Sequence, residues 1–140
     1  MNVEKHKESL QEVYDEISLA QQLPQGLRRH QRRLALMLSL GMCELIELYF
    51  HKLEVIKSGS RIKHDWFRQA RIKEKVEQQI IAPIDSIKNI DRILELAVAI
   101  EKNRDDLAYG SPLNDEKMLQ EKIVQFFEIK QLTEDSDGPK

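Results

Sequence analysis

The stretch from Leu34 to Phe50 restricts the fold more than any other part of the chain. Its seventeen residues are apolar apart from Ser39, Gly41, Glu44 and Glu47. That is too long for a usual strand of about five or six residues. Two carboxylates also make it a poor bilayer span. It reads as the central helix of a bundle, covered by neighbours on most sides. The helical pattern extends to roughly Leu27–Lys57, with Ala35, Leu38, Met42, Leu45, Ile46, Tyr49, Leu53 and Ile56 on one face. Leu36, Met37, Leu40, Leu48 and Phe50 widen that face, and Ser58-Gly59-Ser60 supplies a stop signal.

The remaining segments follow the same period. Leu10, Val13, Tyr14 and Ile17 form an apolar stripe on a first helix that Pro24 and Gly26 interrupt after Gln22. A weaker third helix is predicted over about Asp65–Ile80, with Trp66, Phe67, Ala70 and Val76 as its apolar members. Pro83 restarts the chain, and a fourth helix carrying Ile87, Ile90, Leu94 and Ala97 inward is predicted to run to Ala108. Asn114 is placed to cap a fifth helix, with Leu113 and Met118 spaced as a hydrophobic staple and Leu119, Ile123, Phe126 and Phe127 facing the core. Five glycines and four prolines in 140 residues are too few for the turns of an all-β chain. The expectation is an all-α antiparallel bundle of about five helices around one long central helix. It forms a single domain over residues 1–132, followed by a polar, acidic, disordered tail over 133–140.

Charge narrows the function classes. Twenty-two basic and 24 acidic residues leave a formal charge of -2, which argues against a globally basic nucleic-acid binder and against an acidic disordered chain. A single cysteine, Cys43, excludes an internal disulfide framework and a multi-cysteine zinc site; within the apolar run it reads as a small core residue. Charged residues interrupt the first twenty positions, so no secretory apolar segment is read there, and the expected location is the cytoplasm, away from membranes.

The charges are nevertheless unevenly spread. Arg28, Arg29, Arg32 and Arg33 surround His30 near the start of the central helix. Pairs four apart share a helix face, and their position at a helix N-terminus suits an anion or RNA phosphate. The alternative is a solvated face neutralised by a neighbouring helix. From Lys57 to Lys75, seven basic residues stand against two acidic ones. Glu44, Glu47, His51 and Glu54 follow a 3-4-3 spacing along one arc. Such an arc suits a polar seam or interface stripe better than a metal site, because bundle sites take ligands from several helices. His64 sits at a loop-to-helix junction beside basic residues. No Walker A loop, Rossmann glycine fingerprint, HExxH or GxSxG is present, and no cofactor or metal is expected.

Arg104-Asp105-Asp106-Leu107-Ala108-Tyr109-Gly110 places an arginine, a polar acceptor and a hydroxyl-bearing aromatic together. Arg104 and Tyr109 suit phosphate binding and base stacking, although five positions on a regular helix diverge by about 140°. Convergence on one ligand requires the helix to end at Ala108 or a second subunit to supply one of the pair. The bland alternative is Arg104 in a salt bridge and Tyr109 as a packing anchor. Together with the helix carrying Glu44-Leu45-Ile46-Glu47-Leu48-Tyr49-Phe50-His51-Lys52-Leu53 and the stretch Gly59 through His64-Asp65, this segment resembles the HEPN superfamily of small all-α prokaryotic domains. The likeness spans about residues 10–132.

That resemblance implies a homodimer linked to nucleotidyltransferase or toxin–antitoxin systems. It also implies a signature of arginine, four to six residues, then histidine, which serves metal-independent ribonuclease chemistry in catalytic members. Arg104 and Asp105 match the first half, while Tyr109 holds the histidine position, with Gly110 and Ser111 after it. A tyrosine hydroxyl, with an ordinary pKa of about 10, is a poor proton shuttle at neutral pH. The leading expectation is therefore a dimeric module that binds nucleotide or RNA and is not itself catalytic. Arg104, Asp105, Tyr109, His64, Glu47, His51, Arg28, Arg29, Arg32 and Arg33 are its candidate contacts, with a nucleotidyltransferase or antitoxin as partner protein. A ribonuclease using His51 or His64 and a pure interaction scaffold are the alternatives.

Overall fold

The computed structural model describes residues 3–111 and 116–135. Its α-helices are α1 (Val3–Gln22), α2 (Gly26–Arg29), α3 (Gln31–Lys52), α4 (Ile72–Glu77), α5 (Ile90–Glu101), α6 (Arg104–Tyr109) and α7 (Lys117–Asp135). Two 3₁₀ turns, His64–Arg68 and Ile84–Ser86, lie in the connections. Among the described residues the sole β pairing is an isolated antiparallel bridge between Ile56 and Ile80. The all-α bundle read from the sequence is the fold observed.

α3 is the centre. α1, α5, α6 and α7 pack on it, and α5 also packs on α7. Fifteen of its 22 residues are buried, including every one from Gly41 to Phe50. By length and composition α3 would suffice to cross a bilayer, but 78% of its most apolar window is buried inside the bundle. Gly41 marks the tightest crossing. A Cβ there would stand 2.8 Å from the Phe126 ring of α7 and 3.0 Å from Val13 of α1, so only glycine lets both helices close on α3.

Four boundaries differ from the sequence expectation. The helix predicted over Leu27–Lys57 is broken at His30, between α2 and α3, and stops at Lys52. Its end is a Schellman turn. Val55 N–H donates to Phe50 C=O at 3.1 Å and Glu54 N–H to His51 C=O at 3.0 Å, with Glu54 left-handed at φ 57°. The stop therefore precedes Gly59, and Glu54 is exposed beyond the helix instead of continuing the arc of Glu44, Glu47 and His51. The helix predicted over Asp65–Ile80 is the first 3₁₀ turn plus α4, divided where Gln69 is extended and closed before Ile80, which bridges to Ile56.

The predicted fourth helix begins as a 3₁₀ turn and divides at Lys102–Asn103. Asn89 and Asn103 are left-handed at φ 65° and 64° and start α5 and α6, a conformation asparagine tolerates better than most residues. Finally, α7 continues through Thr133, which is buried and donates its hydroxyl to Lys130 C=O at 2.9 Å. The tail expected from 133 is thus helical to Asp135. The predicted cap Asn114 and the staple residue Leu113 lie outside the described residues.

Candidate functional site

The centre of the polar constellation is Glu101, the last residue of α5, which is buried. It continues the core stripe Ile90, Leu94 and Ala97, so helical periodicity turns its carboxylate inward. A carboxylate out of water needs several partners, and three segments supply them. Ser39 Oγ of α3 donates at 2.7 Å, Arg68 Nε at 2.7 Å, and His64 Nδ1 lies 3.0 Å away. The same Arg68 makes a two-pronged pair with Asp105, both contacts at 3.0 Å. Asp105 also accepts from Arg104 Nη1 at 2.8 Å. Hydrogen bonds first from Arg68 and then from Arg104 hold the Asp105 carboxyl below the usual range.

Lys122 of α7 fixes the break that separates α5 from α6. Its Nζ donates to the carbonyls of Ala99, Ile100 and Lys102 at 2.7, 2.9 and 2.5 Å. Those carbonyls sit at a helix C-terminus and lack helical partners, and three bonds use all three ammonium donors. Burial pulls the amine down to about 8. The chain can therefore turn at Asn103 and begin α6 with Arg104.

Arg104 lines two adjoining clefts. One, of about 450 Å³, is also lined by Leu36, Leu40, Cys43, Glu47, Lys63 and His64. The other, of about 400 Å³, has Phe67, Arg68, Val98 and Asp105 in its wall. Arg104 Nε is buried and has no hydrogen-bond partner among the described residues. With Nδ1 of His64 against Glu101, its Nε2 is the ring nitrogen left over, and that side chain is 39% exposed. The Cys43 thiol at the cleft edge is held well above its ordinary pKa by burial and by Glu47, so it stays a neutral packing group.

Of the residues singled out from sequence, the structure brings Arg104, His64 and Glu47 to one cleft and adds Asp105 through its pair with Arg104. Tyr109 does not join them. α6 stays helical through Tyr109, leaving that ring 71% exposed and outside both clefts. Arg28, Arg29, Arg32 and Arg33 line a separate pocket with His30, Gln31 and Gly110. His51 is also elsewhere, with its ring 5.2 Å from that of His6; burial and the neighbouring His6 lower its pKa.

His6, a residue that the helical pattern passed over, explains the acidic arc. It is fully buried, with Nδ1 hydrogen-bonded to Glu44 and Nε2 3.5 Å from Glu47. Glu47 also accepts from Ile62 N–H at 2.5 Å. Burial raises its carboxyl pKa against the opposing pull of that N–H and of His6. The arc is thus a polar seam between α1 and α3, and no metal-holding group of three or more ligands occurs among the described residues.

The salt bridge weighed for Arg104 is present, with Asp105 as the partner, whereas Glu101 is held by Arg68 and His64. The signal for His6, Glu101 and Lys122 was present all along: each is a charged or polar residue at a core position of an apolar stripe. His6 precedes Leu10 and Val13, and Lys122 lies between Leu119 and Phe126. No protein-family model, curated protein or solved structure matches the chain.

Proposed function

We propose that this chain is a HEPN-like helical module that holds a nucleotide or RNA phosphate at Arg104 without cleaving it. The observation that carries the reading is Arg104, which lines a cleft with His64 and Lys63 and whose buried Nε has no partner among the described residues. Buried polar atoms in folded proteins almost always have partners, and a phosphate oxygen suits a guanidinium better than any other common anion except a carboxylate. His64, steadied by Glu101, offers Nε2 to the same ligand. Tyr109 holds the position that a proton-transferring histidine occupies in catalytic members of the superfamily this chain resembles, and a tyrosine hydroxyl is a poor proton shuttle at neutral pH. That exchange supports binding over catalysis.

The module acts as a cytoplasmic homodimer beside a nucleotidyltransferase or antitoxin partner. Val98, exposed beside the second cleft, gives this face apolar surface for a second copy, which would form the far wall of the groove. The test is a titration of single-stranded RNA and of mononucleotide in EDTA, with Arg104→Gln as control. Binding that weakens about tenfold in Arg104→Gln and with added salt, while the RNA stays intact, is the expected result. Absence of binding in the unaltered protein would leave an interaction scaffold.

One observation favours a second reading. A carboxylate on Nδ1 of a histidine is the arrangement that orients an imidazole for proton transfer through Nε2, and His64 has it. Cleavage of RNA in EDTA, lost in both Arg104→Gln and His64→Gln, would convert the module into a metal-independent ribonuclease.

A further inference from the structure

We infer that the arginine pocket at the α2–α3 break is a second phosphate site, which receives the same single RNA strand as the Arg104 cleft. This rests on the nucleotide-binding reading above and extends it to the length and form of the ligand.

The first ground is charge that the fold leaves uncompensated. Several cations elsewhere are matched. Arg68 pairs with Glu101 and Asp105, Lys73 with Asp85 and Asp91, Arg92 with Glu95 and Glu128, and Lys130 with Glu134. The arginine pocket, about 450 Å³ in volume, has no carboxylate in its lining, and Glu116, which accepts from the Arg28 backbone N–H at 2.8 Å, pairs with none of the guanidinium groups. Arg28, Arg29 and Arg32 make no ion pair among the described residues, and Arg33 comes only within 3.9 Å of Glu16. Glu16 is itself engaged by His30 Nδ1 at 2.9 Å. The pocket also stands at the start of a 22-residue helix that has no side-chain cap, where the helix dipole adds to the positive potential.

The second ground is alignment. α6 runs antiparallel to α3 alongside the cleft. Gln31 at the start of α3 donates to Leu107 C=O at 3.1 Å and Ser111 C=O at 3.3 Å, whereas Ser39, two turns on, donates to Glu101. The first residue of α6, Arg104, therefore lines the cleft, and Gly110 at its other end lines the arginine pocket. On α3 the steps Arg32, Leu36 and Leu40 are four residues apart and share a face. Leu36 and Leu40 belong to the cleft wall. The rise from Arg32 to Leu40 is about 12 Å. The pocket and the cleft are thus the two ends of one track along α3.

The chemistry between those ends selects the ligand. Leu40 is 43% exposed on the track, and Tyr109, 71% exposed, adjoins Gly110 at the pocket. An exposed apolar side chain at the cleft end and an exposed aromatic ring next to the pocket suit unstacked bases flanked by phosphates, the pattern of single-strand binding. A strand of about four nucleotides, the lower end of single-strand site sizes, suffices to connect the two sites.

The experiment is fluorescence anisotropy on the full chain with labelled dinucleotide and octanucleotide single-stranded RNA in EDTA. It compares the unaltered protein with an Arg29→Gln/Arg32→Gln double variant whose melting temperature is checked first. The unaltered protein is expected to bind the octanucleotide at least about tenfold more tightly than the dinucleotide. In the double variant that ratio should fall toward one, and the salt dependence for the octanucleotide should flatten by about 1.4 in log–log slope for two lost phosphate contacts. An unchanged ratio, or equal binding of polyglutamate and octanucleotide, would overturn the second site while leaving the Arg104 cleft standing. No binding of either RNA by the unaltered protein would overturn both.

Discussion

In its C-terminal half, α3 buries Glu44 and Glu47, and both face a fully buried His6. At its N-terminal end, Arg28, Arg29, Arg32 and Arg33 stand exposed around a pocket without a carboxylate. A sequence reading sees two charged clusters on one helix. The structure separates them by solvent and by partner. Charge withdrawn from water must be compensated, so the inner cluster is committed to holding α1 on α3. Charge left in water is free of that demand and remains available to a ligand. The cleft at Arg104 stands between these extremes, since that side chain is only 15% exposed, with one nitrogen paired to Asp105 and another unpartnered among the described residues.

Removing compensation from the inner cluster has the largest expected consequence. His6→Leu leaves two buried carboxylates facing each other, and about 3–5 kcal/mol of stability should be lost in urea unfolding. A loss below about 1 kcal/mol would mean that the carboxylates are satisfied without His6. Next comes Glu101→Ala, which strips Ser39, His64 and Arg68 of a common acceptor. It should cost about 2–3 kcal/mol and also weaken RNA binding, because His64 loses its orientation. Wild-type RNA affinity in that variant would detach the network from the site.

Lys122 sharpens the comparison through pH. Its folded-state pKa, about 8, lies below its ordinary 10.5, so folding disfavours its protonated form. The stability it contributes is full above the ordinary value and lost as pH falls through about 8. Unfolding free energy should thus rise between pH 8 and 10.5 by an increment that Lys122→Met removes, as denaturation at stepped pH would show. At the far end of the scale, Arg29→Gln/Arg32→Gln should leave the melting temperature unchanged. A marked drop would assign those arginines a structural partner.

What the sequence disclosed and what it hid follow from the same distinction. Apolar stripes are periodic, so α1, α3, α5 and α7 and most of their core faces were legible, as was the break at Pro24 and Gly26. The ends were less so. Glu54, Asn89 and Asn103 adopt the left-handed conformation without a glycine, and a pattern reading has no reason to stop at a glutamate. The division between α5 and α6 also depends on Lys122, about twenty residues away in sequence. Within the site, Arg104, His64 and Glu47 were found from local motifs. Their organisers were missed because a polar residue on an apolar stripe reads as an interruption, whereas in three dimensions it marks where another segment supplies a partner. Tyr109 and the four arginines were grouped with Arg104 by sequence proximity and charge. Helical geometry and the antiparallel course of α6 place them at the other end of α3.

The most direct measurement is the melting temperature of wild type, His6→Gln and Arg104→Gln, each with and without single-stranded octanucleotide RNA in EDTA. A ligand that binds the native state raises the midpoint by an amount that grows with the logarithm of its affinity. His6→Gln should melt lower than wild type and still be raised by RNA, whereas Arg104→Gln should melt near wild type and be raised little or not at all. A full RNA-induced rise in Arg104→Gln, or none in wild type, would contradict the assignment of Arg104 to the ligand.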